Sequence, residues 1–200
     1  MSTTYALPSD QALESVMDEL TLVRLSQQGN QETFARLYDT YVERIYRYIY
    51  FRVANDQLAE DITSHVFLKV WEKLHTYEAR QSSFRAWLYR IAHNAVVDHY
   101  RTKKVAVSLD DVNPVELSQA DGMEESLDRQ IQSKELREAL QDLTEEQQQV
   151  LIMKFVGGLS TMEIAQQLGK QQGAVRALQM RGLQGLAKCP ALQKQALYGN

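Results

Sequence analysis

Residues 81–104 read QSSFRAWLYRIAHNAVVDHYRTKK, with Arg85, Arg90, Arg101, Lys103 and Lys104 set against a single acid, Asp98. At about 100° per residue, Phe84, Leu88, Ile91 and Ala95 fall on one stripe of a helix, able to face a core. A second stripe carries Arg90, Asn94 and Arg101, and a third carries Tyr89, His93 and Tyr100. One dry face, one cationic face and a row of exposed flat side chains suit a nucleic-acid strand with unstacked bases. A core helix with a solvated basic back fits the same pattern, so the helix by itself leaves both readings open.

The chain before this stretch is helical in pattern. Met1–Glu19 reads as a loose tail or one weak helix, and Leu22 to Gln28 as a short helix stopped by Gly29 and Asn30. Phe34, Leu37, Tyr38, Tyr41, Ile45, Tyr48, Ile49 and Val53 then recur at helical spacing, and the tyrosines are expected mainly as core rings with hydroxyls at the rim. Asn55 and Asp56 can cap a helix from Gln57 to about Leu74. Its stripe of Ile62, Val66, Val70 and Leu74 is widened by Phe67, Leu68 and Trp71, more apolar surface than one core needs. His75 to Ser83 is a polar connection.

After the central helix, residues 105–133 are rich in acids and contain Pro114 and Gly122, and they read as a flexible linker. Helix resumes near Ser133, with Leu136, Leu140 and Leu143 on one face. Thr144 to Gln147 is a capping-box pattern opening a helix that Gly157 and Gly158 close, and Ser160 to Glu163 is a second. A short helix with Ile164, Ala165 and Leu168 inward ends at Gly169. The last helix, Gly173 to about Leu186, has Val175, Leu178, Leu183 and Leu186 inward and carries no acid. This is a helix-turn-helix pattern, whose second helix lies in a major groove. Gln171, Gln172, Ala174, Arg176, Ala177 and Met180 would reach base edges. Gln can pair adenine and Arg guanine, while Arg181 and Lys188 are placed for phosphates. No strand pattern appears, and the expected fold is all-α.

Charge is uneven along the chain. Residues 21–104 hold thirteen bases and nine acids, residues 105–134 two bases and seven acids, and no acid follows Glu163. A net charge of −4 is compatible with nucleic-acid binding when the bases are local. Cys189 is the only cysteine, so no intrachain disulfide forms, and four scattered histidines suggest no zinc site. There is no phosphate-cradling glycine loop or nucleophile–base pair, so neither an enzyme nor a cofactor is expected. No apolar run approaches the roughly 20 residues of a membrane span, and a secretory signal pattern is lacking; membrane insertion is not expected, and a cytoplasmic protein is.

The stretches LTEEQQQVLIMKFVGGLSTMEIAQQLGKQQGAV, AEDITSHVFLKVWEKL and SSFRAWLYRIAHNAVVDHYR resemble, in this order, region four and two parts of region two of the bacterial RNA polymerase sigma factors, specifically the extracytoplasmic-function group. The resemblance implies two small helical domains joined by the acidic linker. Residues 21–104 would bind core polymerase and recognise and melt the minus-ten element, and residues 134–188 would read the minus-thirty-five element. Residues 1–20 and 189–200 are tails. Asp61, His65, Phe67, Leu68 and Trp71 would dock on the clamp of the largest catalytic subunit, with the flap region a second contact. Tyr77, Arg80, Ser82 and Ser83 lie in the loop that would capture a flipped base, at a cost of a few kcal/mol for the unstacking. Arg85, Arg90, His93, Asn94 and Arg101 would follow the non-template strand, and Trp87 would pack beneath the loop. The linker would thread toward the polymerase active centre. An anti-sigma factor is an implied partner beside polymerase and promoter DNA. His65 stands where relatives commonly carry an acid, Gln179 where many bury an apolar residue, and Gly182 and Gly185 each lower helix propensity by roughly 1 kcal/mol. From the residues alone, a dimeric helix-turn-helix regulator with an N-terminal helical sensing domain is the alternative.

Overall fold

A computed structural model describes residues 18–107 and 136–189, and within these every regular element is helical. Helix α1 (Glu19–Gln27) starts at Asp18, whose carboxylate accepts the Thr21 amide, and is stopped by Gly29 at φ +88°. Asn30 caps α2 (Gln31–Val53) by accepting the Thr33 amide. The two helices are tied by a buried hydroxyl pair, Ser26 to Thr33, at 2.9 Å. Ala54 takes a left-handed turn at φ 54°, and Asn55 caps α3 (Asp56–Lys73). A 3-10 turn (Leu74–Thr76) leads into the loop before α4 (Phe84–Val107).

The core of this half is built from Leu37, Tyr41, Ile45, Tyr48 and Ile49 of α2, Ala59, Ile62, Val66 and Val70 of α3, and Phe84, Leu88, Ala92 and Val96 of α4. The tyrosines follow the core expectation in part. Tyr41 and Tyr48 are buried and Tyr46 and Tyr50 partly so, whereas Tyr38 is exposed. Burial pushes both the Tyr41 and Tyr48 hydroxyls up to about 12, so they stay neutral donors in the physiological range.

Helix α4 continues to Val107, beyond the expected boundary at 104. The rest of the acidic linker, and the onset of helix near Ser133, lie outside the described residues. Residues 136–141 form α5. Both capping boxes exist: Thr144 and Gln147 open α6 (Glu145–Leu151), and Ser160 and Glu163 open α7 (Thr161–Leu168). Helix α6 does not run straight to its glycines. Its last turn widens to π geometry over Ile152–Val156 before Gly157 and Gly158. Gly169 at φ +63° makes the turn into α8 (Gln172–Ala187).

Leu183 is a correction: it is exposed, while Gly182 is the buried member of that turn. A Cβ on Gly182 would lie 2.9 Å from the Leu151 side chain, and one on Gly185 would overlap Leu143. The two glycines therefore let α8 approach α6 and the turn before it, which offsets their cost in helix propensity. A face that must admit neighbouring leucines this closely has no room for Leu183.

Candidate nucleic-acid interface

Helix α8 presents its expected reading row to solvent. Gln171, Gln172, Ala174, Arg176, Ala177, Met180, Arg181 and Lys188 are all exposed, while Val175 and Leu178 anchor the opposite side. Leu178, rather than the half-buried Gln179, supplies the apolar contact. Arg176 is held loosely toward Gln172, at 3.5 Å, and Arg181 toward the Ala177 carbonyl, at 3.3 Å.

Helix α4 is different. Arg90, Asn94 and Arg101 are exposed as expected, with Arg101 paired to Asp98 at 3.3 Å. The row of flat side chains is not. Tyr89 is 0% exposed, packed edge-on against Tyr48 at 5.2 Å between ring centroids. His93 is half-buried with Nδ1 3.3 Å from the Tyr48 hydroxyl, and only Tyr100 is open. The helical spacing was right, but α4 is packed against α2 and α3 and is also covered in part by the C-terminal half. Burial lowers the His93 pKa from its ordinary value; the nearby Arg52 cation adds to this and Glu145 partly opposes it.

The loop before α4 is a built platform. Tyr77, expected as a DNA contact, is buried, with its hydroxyl donating to the Ser82 carbonyl at 3.1 Å and its ring against Phe84 and Trp87. An aromatic ring in a short loop finds its driving force in burial, so Tyr77 shapes the loop rather than its surface. Trp87 packs under the loop, as the resemblance implied. Gln27 of α1 donates to the Leu74 and Tyr77 carbonyls at 3.0 and 2.9 Å and so pins the loop. Beside it lies a cleft of about 500 Å³, lined by Leu20, Val23, Arg24, Gln27, Tyr77 and Arg80 among others. Arg24 and Gln27 were not foreseen as site residues, because only folding brings α1 to the loop. Arg80 is exposed, Ser82 half-buried, and Ser83 caps α4 by accepting the Ala86 amide at 3.1 Å.

On α3, Asp61 and His65 are exposed, Leu68 is 62% exposed and Trp71 is open at its edge against Phe34. Phe67 corrects the expected surplus: it is 6% exposed, covered by the ring of Tyr38 at 4.7 Å. The exposed apolar patch is thus Leu68 and Trp71, edged by Tyr38. Among the described residues, no cluster of His, Cys, Asp or Glu could hold a metal, and no helix is long and apolar enough to cross a membrane.

Comparison with known proteins matches the chain to two family patterns, Sigma-70 region 2 over residues 37–105 and Sigma-70, region 4 over residues 133–186. The chain is 37% identical over 174 residues to the ECF RNA polymerase sigma factor BldN of Streptomyces coelicolor, covering 84% of this chain and 64% of BldN. It is 31% identical over 173 residues to the ECF RNA polymerase sigma factor SigX of Bacillus subtilis, covering 84% of this chain and 88% of SigX. Among solved structures, RpoE in complex with the anti-sigma factor NepR from Bartonella quintana superposes with TM-score 0.67 at 22% identity, covering 80% of this chain and 96% of RpoE. CnrH in complex with the cytosolic domain of CnrY superposes with TM-score 0.63 at 21% identity, covering 83% and 92%. At these identities the superpositions establish the all-helical fold.

Proposed function

The chain belongs to the extracytoplasmic-function group of RNA polymerase sigma factors, and on that premise we propose that it binds core polymerase, directs it to specific promoters and helps to melt the minus-ten region. The nucleotidyl transfer stays with the polymerase, so the chain itself is no enzyme, and it works in the cytoplasm. Residues 21–104 act on polymerase and the minus-ten element, and residues 134–188 act on the minus-thirty-five element.

One observation supports this most. Helices α4 and α8, in separate halves of the chain, each raise an exposed row of polar and cationic side chains on a buried apolar scaffold. Arg90, Asn94 and Arg101 track the displaced single strand through phosphate and base-edge contacts. The cleft beside residues 77–83 receives the unpaired base, with Arg24 and Arg80 among its lining residues. Gln171, Gln172 and Arg176 read duplex base edges in the major groove, with Arg181 and Lys188 on phosphates.

Leu68 and Trp71 dock on polymerase, because exposed large apolar side chains beside the acid Asp61 suit a partner surface better than water. An anti-sigma factor that covers this patch is a fitting inhibitor. Membership in the family favours this reading over the dimeric regulator. Single-round transcription with core polymerase tests it. The wild-type chain should support initiation that Leu68→Ala with Trp71→Ala abolishes at limiting concentration, whereas duplex binding by a homodimer without polymerase would favour the regulator.

A further inference from the structure

Helix α1 stands ahead of the Sigma-70 region 2 pattern, which begins at residue 37, yet it forms one wall of the cleft beside residues 77–83. The residues it contributes are Leu20, Val23, Arg24 and Gln27. Spacings of three, one and three positions put all four on one face of a helix, so this wall is a continuous stripe. The facing wall comes from the loop, with Tyr77, Glu78 and Arg80.

Gln27 ties the two walls together. Its Nε2 donates to the Leu74 carbonyl at 3.0 Å and to the Tyr77 carbonyl at 2.9 Å. Two acceptors fix which way the amide lies, because its oxygen would repel both, and both of its hydrogens are then used. Leu74 opens the 3-10 turn that launches the loop, and the Tyr77 amide closes that turn onto the Leu74 carbonyl at 3.0 Å. Gln27 thus sets where the loop departs, from 47 and 50 positions earlier in the chain.

The rest of the stripe has a different chemistry. Val23 is buried, whereas Leu20 is 46% exposed and Arg24 is exposed. A brace needs Gln27 alone; the exposed Leu20 and Arg24 add little to the core. Tyr77 lends the cleft little of its ring, which is 6% exposed and packed on Phe84 and Trp87. A flat ring in the cleft therefore meets Leu20 as its apolar surface and Arg24 at its edge. On the loop side, Glu78 already accepts from the Gln81 amide at 2.8 Å, and Arg80 is exposed.

Arginine offers donors only. It is matched by a base edge with two neighbouring acceptors, which guanine has at O6 and N7 and cytosine at O2 and N3. Adenine and thymine alternate donors with acceptors along their edges. We propose that α1 is part of the base-reading site, with Arg24 selecting a cytosine or guanine in the cleft and Gln27 acting as the positioning residue that holds the loop to meet it. The proposal rests on the strand-capture reading above.

The test uses the full chain bound to core polymerase and a single-stranded DNA pool with about twelve randomised positions, whose bound fraction is sequenced. Wild type should enrich cytosine or guanine at one position. Arg24→Ala should lower that enrichment about tenfold, as for one lost base-edge contact, and leave the other positions unchanged. Gln27→Glu keeps the shape of the side chain but has no donor for either carbonyl, and it should lose the same preference. Gln27→Lys, which can donate to both, should retain it. An abasic residue at that position should bind wild type and Arg24→Ala equally. In the free chain, amide hydrogen exchange across residues 74–83 should quicken in Gln27→Glu and not in Gln27→Lys or Arg24→Ala. Unchanged enrichment in Arg24→Ala and Gln27→Glu, a loss spread evenly over all positions, or a preference for adenine or thymine would each overturn the proposal while strand binding by the polymerase complex stands. A chain that forms no polymerase complex, or a wild type that enriches no base, would refute the strand-capture reading itself and the base assignment with it.

Discussion

Helix α8 holds its whole candidate reading row in open solvent, while α4 exposes Arg90 and Asn94 and surrenders Tyr89, and part of Arg85 and His93, to contacts within the chain. The difference follows from position. A helix at the edge of the C-terminal half needs one buried side, and glycines at 182 and 185 let that side sit close against α6 and its leading turn. Helix α4 lies between α2, α3 and the C-terminal half and so has little free surface. The two helices thus present their polar rows in opposite ways, one in open solvent and one partly covered.

The sharpest way to break this contrast is to exchange neighbours on α4. Tyr89→Ala removes a fully buried ring and should cost about 3–5 kcal/mol of stability in chemical denaturation. Arg90→Ala should stay within about 0.5 kcal/mol in the same measurement and reduce promoter opening. Similar transitions for the two would mean that α4 is not divided as described. The same logic separates Phe67 from Leu68 on α3. Phe67→Ala should destabilise by about 3–5 kcal/mol, whereas Leu68→Ala should leave stability nearly unchanged and weaken polymerase binding in a titration.

On the other side of the comparison, Gly182→Val should destabilise the C-terminal half by about 1–3 kcal/mol, read as an earlier transition in denaturant, because Cβ meets the Leu151 side chain. A neutral result would show that α8 is not held by close approach. Arg176→Ala should leave stability alone and lose about 1–3 kcal/mol of discrimination at one upstream base pair, measured by competition between promoter variants.

The smallest expected effect is pH-dependent and begins on α4. His93 faces Tyr48 and Arg52 of α2 and Glu145 of α6, and its pKa is lowered in the folded chain. The unfolded chain therefore takes the proton first. Stability is complete above the ordinary histidine value near 6.5 and declines as pH falls below it. Glu163 acts in the same direction at more acid pH. Burial raises its pKa, but the hydrogen bonds from Ser83 and Ser160 outweigh that and leave it lowered, so its contribution fades as pH falls through the usual carboxylate range. The thermal midpoint of the wild type should begin to drop between pH 6.5 and 5.5, and His93→Gln should flatten that first drop.

Helix periods, capping boxes and glycine stops were legible because each is set by residues within a few positions of one another. Asn55, Thr144 and Ser160 cap the helices they were expected to cap, and Asn30, read as part of a stop, also caps the helix that follows. The exposed row on α8 was legible for the same reason, since an edge helix has one neighbour side and the pattern shows it. The fate of Phe67, Tyr77 and Tyr89 was not legible. An aromatic side chain reads alike whether it meets solvent, DNA or another ring, and only the third dimension brings Tyr38 over Phe67 or Gly157 over Tyr89.

The sequence by itself determined the all-helical class, the element boundaries to within a few residues and the rows of bases, because hydrophobic period and backbone capping are local and near-additive. Tertiary structure alone decided which of those rows is covered, that Gln27 braces the loop, and that the two halves meet across Arg52, Arg85 and Gln167. These contacts join residues tens of positions apart, and their energy depends on desolvation and shape at a surface that no single segment encodes.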